Sequence, residues 1–118
     1  MALNITAIKK IVNRTNQSVE VRKRDNLNDI VILKPFWEVC QEIWIPGIVN
    51  QQEFDDKVIE ISYLRDNKRM FMWQLGNKVR FSKFGFDISG KPVDGICATD
   101  GDRMLIIDEN SISLELIR

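Results

Sequence analysis

The chain contains no histidine. Without an imidazole there is no histidine general base, no Ser-His-Asp or Cys-His nucleophile pair, and no histidine-bearing metal site. Cysteine is scarce: Cys40 and Cys97 stand far apart with no CxxC spacing. They read as two buried free thiols rather than a disulfide. Net charge is absent as well, with 17 Lys+Arg against 17 Asp+Glu. No global field therefore steers the chain to nucleic acid or an anionic membrane. Gly-rich phosphate loops are missing, since Gly85-Phe86-Asp87-Ile88-Ser89-Gly90 has neither the spacing nor the strand-to-helix context. No apolar run approaches the length of a membrane span. The opening Met-Ala-Leu-Asn-Ile-Thr has no basic region followed by an apolar one, so a cytoplasmic protein is expected. On that expectation the sequons at Asn4, Asn13 and Asn16 read as turn chemistry.

What is present is a β pattern. The 118 residues suffice for one domain, 1–118, with a core of its own. Turn signals recur at the spacing of an all-β fold: Thr15-Asn16-Gln17, Asp25 to Asp29, Pro46-Gly47, Asp66-Asn67-Lys68, Gly76-Asn77, Gly90-Lys91-Pro92, Asp100-Gly101-Asp102 and Asp108-Glu109-Asn110. Between them apolar and polar residues alternate. Ile112, Leu114 and Leu116 share one face; Val19 and Val21 oppose Glu20 and Arg22; Val79 and Phe81 oppose Lys78 and Arg80. Period two with one wet face predicts half-buried antiparallel strands. Residues 57–65 and 69–74 carry the densest alternation and predict a central hairpin, with Ile59, Ile61, Met70, Met72, Trp73, Leu114 and Leu116 in the core. Residues 5–14 and 37–45 also fit helical spacing, but the flanking turns and Pro35 and Pro46 favour strands. The expected fold is all-β, an antiparallel small barrel or two-sheet sandwich of about nine or ten short strands.

Charge falls in blocks. Residues 1–34 and 67–91 are net basic, and 35–66 and 92–118 are net acidic. Cross-strand pairing between neighbouring strands explains this most simply. The alternative is a homo-oligomer joined through complementary charged faces.

Few constellations offer chemistry. Glu38 and Glu42 share a strand face but lie about 13 Å apart, too far for either glycosidase geometry. Asp55-Asp56 beside Glu53 reads as a solvated loop. Asp100-Gly101-Asp102, with Asp94 or Asp108, lacks the ligand run of a calcium loop and reads as a turn. No catalytic residue, metal or cofactor is expected, and a carboxylate-only enzyme is the third reading.

The first reading is a non-enzymatic binding module. Trp37, Trp44 and Trp73 are core if buried. Exposed beside amides, Trp44 with Asn50 and Gln51, and Trp73 with Gln74 and Arg80, would hold a small neutral ligand such as a sugar, or a protein partner. The second reading is a single-strand nucleic-acid binder using Lys78, Arg80, Phe81, Lys83, Phe84 and Phe86, where cations alternate with rings. Lys83-Phe84-Gly85-Phe86 resembles part of the cold-shock domain motif, which implies an OB-type barrel. It lacks the glycine between the lysine and the first aromatic, and no second aromatic motif lies upstream.

Overall fold

The computed structural model describes residues 5–26, 28–85 and 90–117. Its strands are β1 (Thr6–Asn13), β2 (Val19–Lys23), β3 (Ile30–Leu33), β4 (Glu38–Trp44), β5 (Ile59–Tyr63), β6 (Lys68–Leu75), β7 (Lys78–Ser82), β8 (Lys91–Pro92), β9 (Asp94–Gly95), β10 (Gly101–Ile107) and β11 (Ile112–Glu115). One short helix, α1 (Gln51–Lys57), joins β4 to β5. Two sheets form, in the orders β4-β1-β10-β11-β9 and β3-β2-β5-β6-β7-β8. The fold is thus all-β as the alternation predicts, with β8 and β9 only two residues long.

It is not wholly antiparallel. β1 runs parallel to β10, and β9 parallel to β11. Nearly the whole chain serves as the crossover between β1 and β10, which a short hairpin could never span. β1 also explains its helix-like spacing. Both of its pairings shift register between Ile8 and Lys10. The extra residue of a bulge lets Ile8 and Ile11 both face inward, three apart instead of two.

The inner faces meet in one core. Ile8, Ile11, Ile43, Leu105 and Leu114 from the first sheet pack with Val19, Val21, Ile59, Ile61, Met70 and Met72 from the second. Leu116 is exposed, against expectation. β11 and its pairing with β10 end at Glu115, opposite Met104, so Leu116 lies past the strand and outside the alternation that buries Ile112 and Leu114. Trp37 likewise precedes β4 and is exposed, with the Lys34 ammonium 5.1 Å from its ring centroid.

β5 and β6 pair as the expected hairpin and lie at the centre of the second sheet. β6 is apolar on both faces because α1 covers its outer one. Phe54 of α1 meets Phe71 at 5.2 Å and Trp73 at 5.7 Å between ring centroids, in a second cluster with Ile48 and Val58. Asn50 caps α1, its Oδ1 accepting from the Glu53 N–H at 2.8 Å, while Glu53 accepts from the Val49 N–H. The chain before α1 is strapped to β6: Gln74 N–H donates to Pro46 C=O and Ile48 N–H to Gln74 C=O.

One end of the domain is closed by buried polar groups. Asn13 Nδ2 donates to the carbonyls of Gln17, Leu33 and Lys34, and its Oδ1 accepts from Thr15 N–H and Oγ1. Gln17 Nε2 reaches Asp66 and Glu109. Tyr63 donates its hydroxyl to Asp108 C=O at 2.5 Å. The turns after β1, β5 and β10 are thereby tied together. Among the described residues, no helix is long and apolar enough to cross a membrane.

Candidate functional site

The expected ligand residues do not converge. Trp73 is completely buried beneath Phe54, so it is core and offers no platform. Gly90 lies against its ring: a Cβ there would sit 2.9 Å from the indole. Asn50 is consumed by the helix cap, and Gln51 Nε2 bonds Asp55 four residues on. Gln74 serves through its backbone, and Arg80 is half-buried directly across from Trp73. Trp44 alone presents its ring, 51% exposed on the outer face of the edge strand β4.

Trp44 has partners that the sequence pattern does not reveal. Its Nε1–H donates to Glu42 Oε1 at 2.8 Å, and the other oxygen of Glu42 pairs with Lys9 Nζ at 2.8 Å. Those two bonds, Lys9 first, hold the Glu42 carboxyl below its ordinary pKa; Glu42 raises that of Lys9 in return. The indole edge is therefore fixed. Beside it lies an open hollow of about 340 Å³, lined by Trp44, Glu42, Lys23, Asn26 and Asp29. Lys23 ends β2, and Asn26 and Asp29 belong to the β2–β3 turn, which is tightened on itself. Asn26 N–H donates to Lys23 C=O, Asp29 N–H to Asn26 C=O, and Asn26 Nδ2 to Asp29 Oδ2 at 3.1 Å. Asp25 to Asp29 is legible as a turn, but sheet packing alone brings it to Trp44. With Lys9 counted, two cations face two carboxylates here, so the hollow has no net charge.

The basic and aromatic stretch is divided. Phe81 packs against the inner core and is unavailable for stacking, because β7 alternates and its odd positions face inward. Lys78, Lys83 and Phe84 are exposed. Phe86 lies outside the described residues. The two sheets of five and six strands differ from the five-stranded barrel of an OB-fold.

The carboxylates hold structural posts. Glu38 pairs with Lys10 at 3.2 Å, Glu53 with Lys57 at 3.3 Å, and Glu60 with both Arg24 and Arg69. Pairs between β1 and β4, and between β5 and β6, thus join neighbouring charge blocks across strands. Asp100 adopts a left-handed φ of 83°, its N–H donating to Thr6 Oγ1 and its carbonyl accepting from Arg103. Among the described residues no cluster of three or more acidic or thiol groups is arranged to hold a metal. Both cysteines are free. Cys40 is exposed rather than buried, since strand alternation turns Val39 inward and Cys40 out; Cys97 is half-buried against the core. No family model, curated protein or solved structure matches this chain.

Proposed function

We propose that this chain is a non-enzymatic binding module that takes a small neutral polar ligand, of the sugar class, in the hollow beside Trp44. One observation carries the reading: an exposed indole, its edge locked by Glu42, borders a hollow whose other wall offers an amide, a carboxylate and an ammonium. A sugar presents axial C–H groups to a ring face and hydroxyls to such donors and acceptors. Few directed polar groups around an apolar surface are what a small-ligand site needs. The balanced charge favours a neutral ligand over an anion.

Saturation-transfer NMR with a panel of mono- and disaccharides tests this. Trp44→Ala should abolish binding, and Asp29→Ala should weaken it about tenfold, the loss of one good hydrogen bond to a charged group. Trp44 is exposed and Asp29 half-buried in a turn, and circular dichroism of both variants checks that the fold persists. Absence of a saturable signal from every sugar, or equal binding by Trp44→Ala, would refute the proposal.

A second reading, association with another copy of this chain, is favoured by β3. This edge strand exposes Ile30 and Ile32 and contains neither charge nor proline, the usual guards of an open edge. Light scattering should then show a dimer that Ile32→Lys dissociates; a monomer at millimolar concentration rejects it.

A further inference from the structure

Phe84 is the most exposed large apolar side chain described, at 97%. Its position is set locally, by its own N–H donating to Ser82 Oγ at 3.2 Å just past the end of β7. Two hollows of about 260 and 450 Å³ flank it, one beside Lys83 and Lys91, the other beside Lys68, Arg69 and Asn110. Every charged side chain that lines either hollow, among the described residues, is a cation. Lys91 stands directly across from Phe81 on β8, which brings it to the same end of the sheet as Lys83.

We infer that this surface binds single-stranded nucleic acid, Phe84 stacking on one base while the four cations track the flanking phosphates. The chemistry is specific to such a strand. It alternates flat π faces with negative charges, as this patch alternates a ring with ammonium and guanidinium groups. An anionic membrane is a poorer fit. Phe84 is the one large apolar residue exposed between residues 67 and 91 among those described. A single ring buries less than one acyl chain, and one acyl chain already anchors only marginally. The net neutrality of the whole chain is no obstacle, because phosphate contacts act within about 10 Å at ordinary salt.

The cations differ in freedom. Lys68 bonds Glu109 C=O and Asn110 Oδ1 and lies 3.9 Å from Asp66, and Arg69 lies 3.7 Å from Glu60. Lys83 and Lys91 have no acidic partner among the described residues. Two to four phosphates are therefore neutralised, and log K should fall against log salt with a slope of about −1.4 to −2.8.

Fluorescence anisotropy of a short labelled oligothymidylate, titrated with the whole chain at low salt, tests the inference. Binding should show that slope. Phe84→Ala should weaken it about five- to 160-fold, the range for one stacked base. Phe84→Trp should restore it, with its emission quenched on binding, and Lys83→Ala with Lys91→Ala should flatten the slope. Trp44→Ala should leave it unchanged, so this site and the sugar reading fail or survive separately. No oligonucleotide binding, or equal binding by Phe84→Ala, overturns the inference. Phe84-dependent binding to phosphatidylserine vesicles without oligonucleotide binding overturns it in favour of a membrane.

Discussion

Tyr63 is a core side chain with a polar tip, and both halves matter. Burial first, then the charges of Asp108 and Glu109, push its ionisation well above the ordinary tyrosine value. A group whose pKa is raised on folding contributes stability that is complete below its unfolded pKa, about 10, and is lost as pH rises through the folded value. Urea denaturation should show stability declining above about pH 10. Tyr63→Phe should cost about 1–2 kcal/mol at neutral pH, by leaving Asp108 C=O without its donor, and should remove part of the alkaline decline. Glu42 behaves in the opposite sense. Its pKa is lowered by Lys9 and Trp44, so its contribution is complete above the ordinary carboxylate range and is lost as pH falls through its folded value. Protonation removes the charge that strengthens the bonds from Lys9 and Trp44, and so loosens the indole edge. Tryptophan emission should therefore change with a midpoint below about 4.3, the ordinary Glu value, and Glu42→Gln should abolish that change. A midpoint at or above the ordinary value would mean that the Glu42 bonds do not persist in solution.

At the scale of elements, α1 is small but covers a large apolar face. Phe54→Ala would open a void over Phe71 and Trp73, and should cost about 3–5 kcal/mol. Asn50→Ala removes one cap and should cost about 1 kcal/mol. Leu114→Ala should cost about 2–5 kcal/mol, whereas Leu116→Ala and Glu115→Ala should each cost about 0.5 kcal/mol or less. Chemical denaturation of the set checks all five, and a similar loss at Leu114 and Leu116 would mean that β11 extends further than described. Most strands are legible in the sequence because period two survives wherever one face is wet. The bulge in β1 is not, since one inserted residue turns an alternating strand into a helix-like pattern. α1 had a signal, Asn50-x-x-Glu53, hidden within a stretch that otherwise reads as loop. Trp44 is legible as a candidate, but its partners Lys23, Asn26 and Asp29 are not. They reach it through the packing of two sheets, which no local pattern encodes. Trp73 misleads for the opposite reason: nothing local marks Phe54 as its cover.

The whole molecule has one inner core to which both sheets contribute, so neither sheet keeps its apolar face covered without the other. Unfolding in urea should be a single transition, with far-UV circular dichroism and tryptophan fluorescence coincident. Two separated transitions would mean that the sheets hold together independently. Pairs as distant in sequence as Thr6 with Gly101 also make this a slow folder for its size, in the millisecond-to-second range of β-sandwiches.

That same pairing sets an order of events on the ribosome. β1 emerges early, and β4 soon afterwards supplies one neighbour. The slot on its other side stays vacant until β10 is made, roughly 4 to 18 seconds later at ordinary elongation speeds. Throughout that interval the nascent chain carries an open apolar strand, and a stalled or prematurely released product would carry it permanently. Such fragments should be the forms that trigger factors and holdase chaperones retain, while the finished polypeptide, its slot filled by its own late-made strand, is let go.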